Sequence, residues 1–130
     1  MSIEIGLKGR SETLVTEDNT AAAVGSGLVP VFATPYMIAL MENAAANSLL
    51  PHIAEDEGSV GTQLNVAHSS ATPVGMKVWA EATVIAVEGK KITFEVAAFD
   101  EAGEIGRGTH ERFIIKPEKF LAKTQKKLEQ

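Results

Sequence analysis

Val31-Phe32-Ala33-Thr34-Pro35-Tyr36-Met37-Ile38-Ala39-Leu40-Met41-Glu42, followed further on by Gly61-Thr62-Gln63-Leu64-Asn65-Val66-Ala67-His68-Ser69-Ser70-Ala71-Thr72-Pro73, decides the fold. Thr34-Pro35 is a helix start: a threonine hydroxyl can cap free N–H groups, and proline suits the first helical turn. The helix should run to Leu50, where Pro51 prevents continuation. Met37, Leu40, Met41, Ala44 and Ser48 share one face at helical spacing. Ala39, Ala46 and Leu50 make the opposite side apolar too, which predicts a central helix covered on several sides. One carboxylate, Glu42, lies among Ile38, Ala39, Ala45 and Ala46. In the second stretch the period changes to two. It puts Val60, Thr62, Leu64, Val66 and His68 on one strand face, and Gln63, Asn65 and Ala67 on the other. Buried Glu and buried His are costly unless paired or functional.

Outward from these segments, Ile3 to Val15 reads as an irregular first strand and Thr16 to Gly27 as a loop. A helical turn is expected over Thr20 to Val24, stopped by Gly25. Downstream, Lys77 to Val87 is rich in β-branched residues, Ile92, Phe94, Val96 and Ala98 alternate, and Glu104 to Lys116 gives a last strand. Pro117 opens a short amphipathic helix with Phe120, Leu121 and Leu128 on its inner side. The order is strand, long helix, then four strands with short connections, which favour antiparallel neighbours. The expected class is α+β, with a curved antiparallel sheet around one helix, and residues 1–130 are expected to form a single domain.

Composition narrows the function. Hydrophobic content of 45% and charged content of 22% are ordinary for a globular chain. A net charge of −5 argues against general nucleic-acid binding, which needs a basic face. No apolar run is long enough to span a bilayer, and Met1-Ser2-Ile3-Glu4-Ile5 does not read as a secretory signal, so a cytoplasmic protein is expected. Without cysteine there is no thiolate nucleophile or thiolate metal site. The three histidines have no metal-ligand spacing, so no metal is expected.

The layout resembles the hotdog fold. The chain further resembles the fluoroacetyl-CoA thioesterase-like family of hotdog proteins, from about Val31 to Phe120. The resemblance rests on Val31-Phe32-Ala33-Thr34, Leu40-Met41-Glu42, His68 with Ala71-Thr72-Pro73, and Glu104-Ile105-Gly106-Arg107-Gly108-Thr109-His110-Glu111-Arg112. It implies that Thr34, Glu42 and His68 form the catalytic set and that Gly61 lies close to the thioester. It implies an acyl-CoA substrate, with coenzyme A a part of the substrate and no separate cofactor. It also implies a homodimer, open to higher assembly, whose sheets join edge to edge and whose helices lie side by side. The chain departs from the fluoroacetyl-specific member before the helix, with Val24, Gly25 and Leu28 in place of aromatic gating residues. Leu28 and Phe32 are therefore candidate acyl-pocket residues, with the acyl group itself unassigned.

The remaining candidates come from the residues. His110 and Arg112 share a strand face opposite Glu111. Arg112 reads as a contact for the coenzyme A phosphates, His110 as structural and His52 as solvated. Glu42, oriented with His68, could activate water, or an acyl-enzyme could form on Thr34 or Glu42. A non-catalytic acyl-CoA-binding module and a hotdog hydratase or dehydratase of 3-hydroxyacyl thioesters remain alternatives.

Overall fold

The computed structural model describes residues 2–129. Five strands, β1 (Lys8–Leu14), β2 (Gly58–His68), β3 (Lys77–Glu88), β4 (Lys91–Asp100) and β5 (Gly103–Ile115), form one sheet. Their order is β1-β3-β4-β5-β2, all antiparallel. The one-turn helix α1 (Ala21–Val24), the long helix α2 (Thr34–Leu49) and α3 (Pro117–Gln125) complete the chain. This is the α+β hotdog arrangement expected from the sequence, with α2 lying against one face of the sheet.

The expected turn before α2 is present: the Thr20 hydroxyl caps α1, and Gly25 ends it in the left-handed region at φ 77°. The first strand is shorter than the segment from Ile3 to Val15, because Gly6, at φ 96°, breaks the extended run. Ile3 and Leu7 still pack against the core.

The inner face of α2 is the one read from its spacing: Met37, Leu40, Met41, Ala44 and Ser48 are buried. They meet Val78, Ala80, Ala82 and Val84 of β3 and Ile92, Phe94 and Val96 of β4, all fully buried. Each large apolar side chain withdrawn from water here contributes about 1.5–3 kcal/mol. The other side of α2 is a correction. Tyr36, Ala39 and Leu50 are exposed, so this chain covers its central helix on one side only. The amphipathic end is corrected too. Phe120 and Leu121 are open to solvent and Leu128 is 83% exposed, so α3 turns no apolar face inward.

Helix and sheet approach closely where β1 crosses α2. A Cβ placed on Gly9 would overlap the Ala44 carbonyl oxygen and lie 2.8 Å from the Ser48 Cβ. The Ser11 hydroxyl bonds the Asn43 side chain at 2.6 Å along the same crossing. Backbone cannot swing aside as a side-chain tip can. Gly9→Ala is therefore expected to push β1 from the helix and cost about 1–3 kcal/mol. Urea denaturation measures this, and an unchanged midpoint would mean that the crossing is not tightly packed.

Candidate active site

The site begins with one extra residue. Val60 pairs with Phe113 and Gly61 with Arg112, but Gln63 pairs with Glu111 and Leu64 with His110. Thr62 is thus unpaired, a β-bulge, and the alternation reverses there. Beyond the bulge Leu64, Val66 and His68 face α2, as the sequence pattern indicated. Before it the faces are opposite to those expected. Ser59 and Gly61 point at the helix, Val60 lies opposite exposed Phe113, and the Thr62 hydroxyl bonds the Glu111 carboxylate at 2.8 Å.

Gly61 therefore sits beneath Glu42. A Cβ there would be 2.6 Å from the Glu42 Oε2 and 3.0 Å from the His110 Cε1. Only glycine leaves room for the carboxylate above the strand. Glu42 is not sequestered: its side chain is 41% exposed, and its Oε2 lies 3.7 Å from the Arg112 Nη1. An open cleft of about 250 Å³ runs past it, lined by Ile38, Glu42, Gly61, Thr62, Leu64 and His110.

Arg112 is turned inward and 7% exposed. Its Nε donates to the Ser59 hydroxyl at 2.8 Å and its Nη2 to the Ser59 carbonyl at 3.0 Å. Its Nη1 reaches the His110 Nε2 at 3.1 Å. The guanidinium is thus held by Ser59 and His110, an anchorage the sequence did not reveal. The cause is again the bulge, which turns Ser59 toward Arg112. Burial draws Arg112 down from the usual guanidinium range, and the Glu42 carboxylate opposes this. His110 is buried, with its Nδ1 2.9 Å from the Gln63 carbonyl and its ring stacked on Phe94. Burial lowers its pKa first, the Gln63 backbone opposes this, and the Arg112 charge lowers it further.

The second cluster is at the helix start, because β2 runs back along α2 and ends beside its first turn. The N-cap is Ala33 and no side chain caps the helix; Thr34 and Pro35 are its first residues. The Thr34 hydroxyl instead shares a hydrogen bond of 2.7 Å with the His68 Nδ1. That corrects its reading as a cap, since a residue already inside the helix directs its side chain away from the free N–H groups. Burial pushes the His68 imidazole below its ordinary pKa, with the Ser70 backbone acting in the opposite sense. The His68 Nε2 is buried without a hydrogen-bond partner among the described residues. Thr34 and His68 line an open cleft of about 260 Å³ with Phe32, Val31 and Ser69 to Ala71.

One chain therefore sorts the expected catalytic set into two groups. Thr34 and His68 are together with buried Phe32; Glu42 is with Gly61, His110 and Arg112. Eight residues of helix put Thr34 and Glu42 about 12 Å apart along its axis. Leu28, 95% exposed, lies outside the walls of both clefts. The sequence reading missed Ser59 and the Gln63 carbonyl. Neither carries a signal in a strand pattern, because both depend on the position of the bulge.

The family model described as fluoroacetyl-CoA-specific thioesterase matches residues 15–118. A fluoroacetyl-CoA thioesterase of Streptantibioticus cattleyicolor is 45% identical over 97 residues, covering 75% of this chain and 70% of that protein. A solved variant of a fluoroacetyl-CoA-specific thioesterase, in complex with fluoroacetate and CoA, superposes with a TM-score of 0.85 at 35% identity. The match covers 91% of this chain and 99% of that one. A thioesterase superfamily member from Thermus thermophilus superposes at 0.90 with 32% identity, over 98% of this chain and 95% of that one. The fold, the paired clefts and these similarities agree: the chain belongs to the fluoroacetyl-CoA-specific thioesterase family.

Proposed function

We propose that this thioester hydrolase cleaves a small acyl-CoA to the free acid and coenzyme A, at a site shared by two copies of the chain. The observation that carries the reading is the separation of Thr34 and His68 from Glu42 into two open clefts. Each cleft is smaller than the roughly 300–1,000 Å³ usual for a small-molecule site. β2 has one free edge, and the exposed side of α2 is apolar at Tyr36, Ala39 and Leu50. Pairing two copies along β2 would bring the helices side by side and set one chain's Glu42 opposite its partner's Thr34–His68 pair. The partnerless His68 Nε2 would then face substrate or carboxylate, either of which satisfies it.

In this site Glu42 takes a proton from water as the water oxygen bonds to the thioester carbonyl carbon. The carbonyl oxygen gains charge near the start of α2, where the helix dipole is positive, or near the backbone at Gly61. The carbonyl re-forms as the C–S bond breaks, and the leaving thiolate takes the proton that Glu42 had accepted, which restores the carboxylate. A second route is favoured by one distance, the 2.7 Å from the Thr34 hydroxyl to the His68 Nδ1. That is the geometry of a nucleophile and its base, and an acyl-enzyme on Thr34 would follow. A pre-steady-state burst of coenzyme A identifies this second route. A panel of acyl-CoAs with a thiol reagent tests the reaction itself: thiol release indicates hydrolysis, whereas hydration leaves the thioester intact and a binding module turns nothing over.

Glu42→Gln is expected to lower turnover by about 10²–10⁴-fold, while it keeps the length and shape of the side chain. Thr34→Ala should also be inactive. Mixed heterodimers of the two variants place both defects in one pocket, so about half the wild-type activity per dimer should return. Verified heterodimers without activity would remove the shared site.

Gly61→Ala tests the seat of the carboxylate. The added methyl group meets the movable end of Glu42, so the fold should persist. A displaced base typically costs about 10²-fold, and kcat is expected to fall accordingly. Wild-type kcat in a folded Gly61→Ala protein would show that Glu42 does not work from this position.

Burial within one chain draws the His68 pKa below its ordinary value, which favours the neutral ring. Acid protonates it and removes its acceptor, so kcat/KM should fall as pH drops through a value below 6.5. A wild-type acid limb above that value that disappears in His68→Asn would contradict the burial-lowered histidine.

A further inference from the structure

The imidazole of His110 has contacts that allow only one protonation state. The Gln63 carbonyl, 2.9 Å from Nδ1, can only accept, so Nδ1 carries the proton. The Arg112 guanidinium, 3.1 Å from Nε2, can only donate, so Nε2 is bare. His110 is therefore a neutral Nδ1–H tautomer, 2% exposed and stacked between its partners on Phe94. Gln63 is the residue after the bulge and pairs with Glu111. From the Gln63 carbonyl a continuous path runs through His110 to the Arg112 Nη1, and from Nη1 to the Glu42 Oε2 at 3.7 Å. Ser59 holds the other side of the same guanidinium through Nε and Nη2.

We propose that His110 is a positioning residue of the thioesterase site, fixing the Arg112 guanidinium against Glu42 so that the carboxylate stays over Gly61. The inference rests on the reading of Glu42 as the reacting carboxylate. It assigns His110 a role beyond filling the core, since a core histidine needs satisfied nitrogens but no fixed link to a half-exposed carboxylate. The Nη1 faces both Glu42 and His110. Without the imidazole acceptor it is free to turn from the carboxylate, and Glu42 is free to leave the strand.

The test uses the whole protein and three measurements. Nitrogen NMR of the imidazoles at neutral pH reads the tautomer directly, independently of turnover. The Nδ1–H form is expected for His110, and an Nε2–H or doubly protonated ring would overturn the link to Arg112. His110→Phe keeps the ring stack on Phe94 but loses both nitrogens. His110→Gln offers one donor and one acceptor on a neutral group. With an acyl-CoA that the wild type hydrolyses, His110→Phe should lower kcat by about 10–100-fold, with KM within a few fold. His110→Gln should recover most of that loss. If His110→Phe does not fold, His110→Gln and the NMR signature still decide, since a folded Gln variant as impaired as Glu42→Gln would overturn the proposal.

The third measurement separates this inference from the one beneath it. In a Glu42→Gln background the His110→Phe change should cost little more, because the two act through one carboxylate. An equal loss in both backgrounds would mean that His110 acts elsewhere, and the proposal fails while the thioesterase reading stands. If Glu42→Gln itself retains full turnover, the role of Glu42 fails, and with it the function assigned here to His110.

Discussion

Close contact between α2 and the inner face of the sheet is the constraint on which the rest depends. The facing residues are small where the backbones approach: Gly9 against Ala44, with Ala80 and Ala82 beneath. Larger side chains, Met37, Met41 and Phe94, fill the space elsewhere. A helix so close to the strands can reach a strand backbone with a side chain as short as glutamate. The same proximity lets the Thr34 hydroxyl reach an imidazole on β2 without a loop between them. The candidate catalytic groups thus stand on regular elements, whose relative position is held by packing, and such sites are more exact than sites built on loops.

The buried arginine is the electrostatic counterpart of that packing. A guanidinium taken from water needs its donors satisfied and its charge balanced. Ser59 and His110 meet the first need, and Glu42 meets the second. The carboxylate is consequently shared between two tasks, neutralising an interior charge and facing an open cleft. Its half exposure reflects the second task. Within one chain, among the described residues, Thr34 and His68 have no charged partner of this kind, and burial favours the neutral imidazole. The two clusters therefore differ in character, one ionic and one neutral.

Much of this was legible in the sequence, and particular residues explain the remainder. The helix boundaries, its inner face and the succession of elements along the chain followed from spacing and breakers, because they depend on local periodicity. The sheet order did not, since a short connection suggests β2 beside β3, whereas β2 pairs with β5 and β3 with β1. His68 and Glu42 stood out because each interrupts an apolar pattern. Thr34 was misread as a cap, since Thr-Pro is a common cap sequence and the competing hydrogen bond comes from a strand 34 residues away. Arg112 was placed on the correct face, but its anchor was not legible, because Ser59 reaches it only through the bulge. The apolar sides of α2 and α3 looked like core from periodicity alone. Periodicity marks an apolar surface without saying whether the same chain covers it.

The unpaired Thr62 also sets how this protein can change. Residues of β2 and β5 that point away from the helix can be exchanged one for another without altering which way their neighbours face. Pairing Thr62 as an ordinary ladder residue is different in kind. It would shift the pairing of everything upstream by one residue, turn Gly61 and Ser59 outward, and put the Thr62 side chain opposite Arg112 beneath Glu42. Every side chain upstream would remain chemically the same, yet the carboxylate would lose its seat and the guanidinium its anchor. Over this stretch the functional information resides in the register of the strand as much as in its letters.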